Sequence, residues 1–260
     1  MDKATADPAV SIVMPTHNRA DYIGVAVDSV LGQTYTDWEL VIVDDGSTDD
    51  TRTVVAQYLA HDPRIRYVRQ DENRGIALSR NHGVAVSRGR YIAMLDSDDA
   101  WASPEKLALQ VAALDADPHL GIVGTWRVFI NAQGARTGAR LSHPTDDASI
   151  RATQLHRNCF AQSSVLFRRD AFERAGRYDP NLVVAEDHDL WLRIGRTHRF
   201  ANLPRYDLLY RKHPGSIILT RRVTVARAAL EVLRRHRAHY PGFLIGYIKG
   251  VLRLLVAFVR

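Results

Sequence analysis

Tyr91-Ile92-Ala93-Met94-Leu95-Asp96-Ser97-Asp98-Asp99-Ala100-Trp101 runs an apolar segment of strand character straight into three carboxylates within four positions. Three unpaired anions at one strand end would repel one another by about 1 kcal/mol or more per pair, so a counter-charge is expected among them. A hard divalent cation, Mg²⁺ or Mn²⁺, is the simplest one. Such an ion keeps open positions that phosphate oxygens fill, and ligands of open α/β sheets sit at the carboxyl ends of strands. The cluster therefore suggests a metal-bridged nucleoside diphosphate. The same letters also fit a solvated acidic turn before a helix that starts at Ser103-Pro104-Glu105, with Pro at the first helical position.

A second apolar run, Val41-Ile42-Val43, ends in Asp44-Asp45-Gly46-Ser47-Thr48-Asp49. Two strand ends carrying acids suggest one shared crevice, in which a carboxylate could bind a base N–H or a ribose hydroxyl. A helix-capping turn satisfies the same letters. The first strand ends in Met14-Pro15-Thr16-His17-Asn18-Arg19, and the chain holds neither Gly-x-Gly-x-x-Gly nor Gly-x-x-x-x-Gly-Lys-Ser/Thr. A nucleotide must then be held by side chains and a metal rather than by a glycine-rich cradle.

Around these ends, strand-like runs at 10–14, 39–43, 65–69 and 91–95 alternate with helical patterns, which is the signature of a mostly parallel sheet flanked by helices. Tyr22, Ile23, Ala26, Val27, Val30 and Leu31 recur at helical spacing, and residues 74–87 form a second crossover helix. Residues 131–147, with Gly134, Gly138 and Pro144, read as a flexible loop at the rim of a site. Strands are expected at 160–167 and 206–213 and a helix at 186–197, with helices from there to the end.

A chain of 260 residues with 46% hydrophobic content can bury a substantial core. The formal charge of +6 belongs to one end: residues 221–260 hold nine Lys/Arg against Glu231 alone, a net of +8, and the preceding 220 residues carry −2. That distribution argues against nucleic acid and for an anionic membrane surface as the partner of the tail. Residues 241–259 are apolar apart from Lys249 and Arg253, and as a helix would be about 28 Å long. Two central charges make spanning costly, so a helix lying on anionic lipid fits better than a spanning one, with packing or homodimerisation as the alternative. The single Cys159 and the absence of an apolar signal region favour the cytoplasm, with the tail at the membrane's cytoplasmic face.

Taken in order, Pro-Thr-His-Asn-Arg, Val-Asp-Asp-Gly-Ser-Thr-Asp, Asn73-Arg74-Gly75, Ser79-Arg80-Asn81 and Leu-Asp-Ser-Asp-Asp resemble the family 2 inverting glycosyltransferases of the GT-A fold. The resemblance continues through Val184-Ala185-Glu186-Asp187-His188-Asp189-Leu190-Trp191 and Tyr210-Arg211-Lys212-His213-Pro214-Gly215-Ser216. It implies a single α/β GT-A domain over 9–220, with 221–260 as a basic, apolar helical segment. It further implies that Pro15, Thr16 and Asp45 contact the nucleoside, Asp96 the ribose, and Asp98 the metal, with His213 completing the metal or diphosphate site. Arg80 would serve phosphate charge, or else pair with a structural carboxylate. Asp187 would be the general base, Glu186 its support or an acceptor contact, and Asp99 a supporting residue or helix cap. Chemistry asks for such a base independently, because inversion at an anomeric carbon needs one group to take the acceptor hydroxyl proton. Acids at a helix start are also ordinary caps. Trp101, beside the acids, is expected to line the site on the acceptor side, whereas Trp191 continues an apolar face and reads as core.

The expected activity is metal-dependent transfer of a sugar from a nucleotide donor, a UDP-sugar first, to a glycan or lipid-linked acceptor in surface polysaccharide or glycolipid assembly. A sugar-nucleotide pyrophosphorylase and a non-catalytic sugar-nucleotide or glycan binding module are the rivals.

Overall fold

The computed structural model of the chain describes residues 7–215 and 221–259. Ser216 of the late motif and Arg260 of the tail fall outside them. Strands β1 (Val10–Thr16), β2 (Trp38–Asp44), β3 (Ile65–Arg69) and β4 (Tyr91–Met94) pair in parallel in the order β3-β2-β1-β4. Helices α1 (Ala20–Leu31), α2 (Thr51–Leu59) and α3 (Ile76–Val86) connect them. β1, β2 and β4 are buried along their whole length, which is why they read as unbroken apolar runs. Ile23, Ala26, Val27 and Val30 of α1 join Ile12, Leu40 and Ile42 in one core cluster. Ala77 and Val84 of α3 join Val13, Ile92 and Met94 in the other. Gly83 lets α3 approach closely, since a Cβ there would lie 2.4 Å from Val13 Cγ1 and 3.0 Å from Val43 Cγ2.

The sheet then continues β4-β8-β6-β9-β5, with β7 beside β6. Its far half comprises β5 (Ala100–Trp101), β6 (Leu120–Ile130), β7 (Arg136–Leu141), β8 (Leu166–Arg168) and β9 (Arg199–Arg211). Its helices are α4 (Lys106–Ala116), α5 (Asp147–Gln154), α6 (Arg169–Ala175) and α7 (Glu186–Ile194). β6 and β9 are parallel to each other, while β5, β7 and β8 run antiparallel to their neighbours. The parallel character expected of the sheet therefore belongs to its first four strands and the β6–β9 pair.

Three local expectations differ from the structure. Within 131–147, residues 136–141 form β7, an exposed edge strand that closes a hairpin on β6. Its turn is fixed by Asn131, whose side chain accepts from Ala135 N at 2.9 Å, and by Gly134 at φ +86°. In place of a strand over 160–167, Gln162–Ser164 make a single 3₁₀ turn before the short β8. Ser163 and Ser164 draw the chain out of the ladder there, Ser164 Oγ donating to Ala161 O at 2.8 Å and Ser163 Oγ to Asp99 at 2.6 Å. The last strand begins at Arg199, earlier than the expected 206.

The helices after residue 220 are joined to the core rather than appended to it. In α8 (Arg222–His236), Leu230, Val232 and Leu233 belong to the same buried cluster as Trp191. His236 Nε2 lies 2.9 Å from Asp189, and Tyr240 donates to Leu192 O at 2.7 Å. α9 (Phe243–Val259) packs along α8. Among the described residues no helix is long and apolar enough to cross a membrane.

Candidate active site

The register places Thr16 opposite Asp44 and Val13 opposite Met94, so β1, β2 and β4 release their chains at one edge. Leu95 N still donates to Val13 O, and the acidic loop begins one residue later. Pro15 and Thr16 are buried, and Thr16 Oγ1 has no hydrogen-bond partner among the described residues. Asp44 is fully buried and structural, accepting from Ser47 N at 2.7 Å and from the Tyr67 hydroxyl. Asp45 accepts from Arg74 N and Gly75 N at 2.8 and 2.9 Å. Its carboxylate thus closes the loop in front of α3, and each oxygen keeps a further lone pair for a ligand.

The three acids of the opening motif take different roles. Asp98 is partly exposed and is met by His213 Nε2 at 2.9 Å and Arg19 Nε at 3.5 Å. Burial raises its pKa, but the bond from His213 and the Arg19 charge outweigh this and hold it below the usual carboxylate range. Asp99 is buried, accepts from Ser163 Oγ and from Arg211 N at 2.8 Å, and has its pKa driven well above normal by burial and by its two acidic neighbours. It ties the loop to the end of β9. β9 ends at Arg211, so this tie also brings His213 back to Asp98.

Arg80 on α3 is buried and bridges two carboxylates, donating to Asp96 at 2.7 Å and to Glu186. This pairing favours the structural alternative to the phosphate role, while the buried Arg80 Nε has no partner among the described residues. The two carboxylates are themselves site candidates, so Arg80 joins the acids after β4 to the start of α7. Desolvation and the nearby Asp98 charge raise the Asp96 pKa against the pull of Arg80. Burial likewise pushes Glu186 up to about 7, against Arg80 and with the Asp187 charge.

Asp187 sits in the first turn of α7, half-buried, after Ala185 at φ +62°. A non-glycine residue in that region marks a backbone held by its surroundings. The Asp187 carboxylate accepts from Asn158 Nδ2 at 3.0 Å and from His188 N at 2.7 Å. Trp101 does not line this crevice. It is buried in the core, donating to Ser163 O at 2.8 Å with Lys106 Nζ 4.2 Å from its ring centroid, because β5 pairs with β9 and turns the indole inward. Trp191 is core, as its helical face indicates.

Arg19, Arg211, Tyr22 and Asn158 escaped the sequence reading. Arg211 donates to Asp98 O at 2.7 Å, and the Tyr22 ring lies 5.2 Å from that of His213. Arg19 had a signal, since it closes the quoted Pro-Thr-His-Asn-Arg run at the end of β1; Asn158 had none.

No group of three or more His, Cys, Asp or Glu side chains converges on a metal position among the described residues. Asp98 and His213 supply two. Mg²⁺ and Mn²⁺ commonly take one or two protein ligands and complete their shell with phosphate and water, so this pair fits such an ion.

An open sheet with acids at the ends of β2 and β4, on either side of β1, and joined through Arg80 to Glu186 at the start of α7, has the arrangement expected of a GT-A transferase. Residues 11–176 match the sequence model of Glycosyl transferase family 2, and the chain belongs to that family. It is 33% identical over 190 residues to EpsE of Bacillus subtilis, named as a candidate glycosyltransferase, covering 72% of this chain and 66% of that one. It is 41% identical over 125 residues to the Escherichia coli UDP-Glc:alpha-D-GlcNAc-diphosphoundecaprenol beta-1,3-glucosyltransferase WfgD, 48% of each chain. The chain thus spans less than two-thirds of either relative. Among solved structures, TarS of S. aureus in complex with UDP-GlcNAc superposes with a TM-score of 0.72 at 19% identity, over 94% of this chain and 70% of that one. The mannosyltransferase PcManGT of Pyrobaculum calidifontis, in complex with GDP-Man and Mn²⁺, gives 0.69 at 20% identity, over 98% and 76%. The fold is GT-A.

Proposed function

We propose that the chain is a metal-dependent inverting glycosyltransferase that moves a sugar from a nucleoside diphosphate donor, a UDP-sugar first, to a hydroxyl of a glycan or lipid-linked acceptor. The observation that carries this reading is the Arg80 bridge between Asp96 and Glu186, which supports reading the acids after β4 and the Glu186-Asp187 pair as one site. Asp187 would take the acceptor hydroxyl proton as the acceptor oxygen attacks the anomeric carbon and the carbon–oxygen bond to the diphosphate breaks. Asn158 is a positioning residue, since its amide fixes one oxygen of that carboxylate. An Mg²⁺ or Mn²⁺ held by Asp98 and His213 would stabilise the charge on the departing diphosphate. Pro15, Thr16, Asp45 and Asp96 would hold the nucleoside; the unpartnered Thr16 hydroxyl supports this.

UDP-GlcNAc bound to TarS and the UDP-glucose donor in WfgD's name support a UDP-sugar, and Mn²⁺ in PcManGT supports the ion. A thermal-shift screen of nucleotide sugars with and without Mn²⁺, followed by hydrolysis and transfer assays on the hits, tests the proposal. Metal-dependent binding with turnover is the expected result. Binding with neither hydrolysis nor transfer would point to a binding module instead.

A further inference from the structure

We infer that the α8–α9 hairpin is a docking surface for an anionic lipid bilayer. α9 is seated through glycines: a Cβ on Gly246 would lie 2.6 Å from Leu233 Cδ2, and one on Gly250 2.5 Å from Leu230 Cδ2. That seam uses one side of the helix. The other presents Leu244, Ile245, Ile248, Leu252, Leu255 and Val256, each more than half exposed, and Phe258 at 61%. At 100° per residue these seven fall within one arc of roughly 160°, wider than the apolar stripe that a helix needs against its own domain.

Both edges of the arc are cationic. Lys249 and Arg253 follow Val256 around the helix on one side and are exposed. On the other edge the charge comes from α8: Arg234 lies over the Tyr247 ring, and Arg227 over that of Phe258, 5.6 and 5.8 Å from the centroids. Glu231, the one acid of α8 and α9, is engaged by Arg235 at 2.5 Å. An apolar ridge between two rows of Lys and Arg matches a bilayer surface, with acyl chains under the ridge and anionic headgroups along the rows. A second copy of this face would bring like charges together along both edges, which disfavours the homodimer.

The hairpin also adjoins the crevice. A Cβ on Gly242 would lie 2.8 Å from His156 Nδ1, two residues before the Asn158 that holds Asp187. Docking would therefore bring the acceptor side near the lipid surface, as a lipid-linked acceptor requires; this link rests on the proposed reaction, whereas the membrane contact does not.

The test is cosedimentation of the full chain with vesicles of phosphatidylglycerol and phosphatidylcholine, against phosphatidylcholine alone, from low to high salt, with the oligomeric state followed by light scattering. The expected result is a monomer that binds the anionic vesicles and loses at least about tenfold in partitioning as screening sets in. Ile248→Glu/Leu252→Glu should abolish binding, and Arg227→Glu/Arg234→Glu should weaken it and flatten its salt dependence, all with unchanged melting curves. Failure of the full chain to bind anionic vesicles at low salt, or a dimer that the Ile248→Glu/Leu252→Glu variant splits, would overturn the inference. A loss of transferase activity with vesicle binding intact would bear on the reaction alone.

Discussion

At the scale of single residues, the site divides by what each carboxylate touches. Asp98 is partly exposed, with His213 and Arg19 against it, and a nucleoside diphosphate with Mn²⁺ should lose at least about 10- to 100-fold in affinity in Asp98→Ala, the loss that removing even a partner of a metal ligand brings. Titration calorimetry with and without chelator checks this, and unchanged metal-dependent affinity would remove Asp98 from the site. Asp187→Asn keeps the shape and removes the basicity. Donor affinity should persist while turnover falls by about 10² or more, and a variant that keeps a tenth of the activity would move the base elsewhere. Arg80→Met leaves the buried Glu186 and the partly exposed Asp96 without their cation, so the protein should lose up to about 3 to 5 kcal/mol in urea unfolding. A loss under 1 kcal/mol, with donor binding impaired, would restore the phosphate role.

At the scale of elements, α3 is the part on which the site's alignment hangs, because it carries Arg80 while resting on β1 through Gly83. Gly83→Ala places a methyl 2.4 Å from Val13 Cγ1, and overpacking of this kind costs about 1 to 3 kcal/mol. Adding Val13→Ala should recover part of that loss, which the double-mutant cycle measures. Strictly additive effects would show that α3 does not press on β1 at this point. The first four strands were legible in the sequence because burial on both faces leaves continuous apolar runs between helical periods. β7 was not: Arg136-Thr137-Gly138-Ala139-Arg140 is exposed on an edge and shows no alternation, so its glycine dominates the reading. The 3₁₀ turn at Gln162–Ser164 was hidden for another reason. Ser163 bonds Asp96 N and Asp99, some 64 to 67 positions away in sequence, and local pattern carries no trace of such contacts.

At the scale of the molecule, the same limit explains the site. Asp96, Asp98, Asp187 and His213 stand in ordered motifs and could be named from the sequence, and the fold brings their segments to one edge. Arg19 meets Asp98 because β1 and β4 pair, Arg211 only when β9 returns to the acidic loop, and Asn158 only when the segment after α5 reaches Asp187 at the start of α7. Trp101 shows the converse error, since adjacency in sequence to the acids suggested the crevice while β5 turned the ring into the core. Beneath that ring lies Lys106, fully buried, donating to Gln110 Oε1 at 2.6 Å and with its pKa lowered by burial to about 7, against the pull of Asp207. The unfolded chain holds this proton up to its ordinary value of 10.5, the folded chain only to about 7. Between those pH values the unfolded state binds more protons, so stability rises with pH, and it is lost as pH falls toward 7. Lys106→Met fills the same space without the charge. It should raise stability at pH 7 by up to about 5 kcal/mol and remove the lysine's share of the rise between pH 7 and 10. Urea unfolding of both proteins across that range decides the point, and parallel stability profiles would show that Lys106 keeps its proton in the fold.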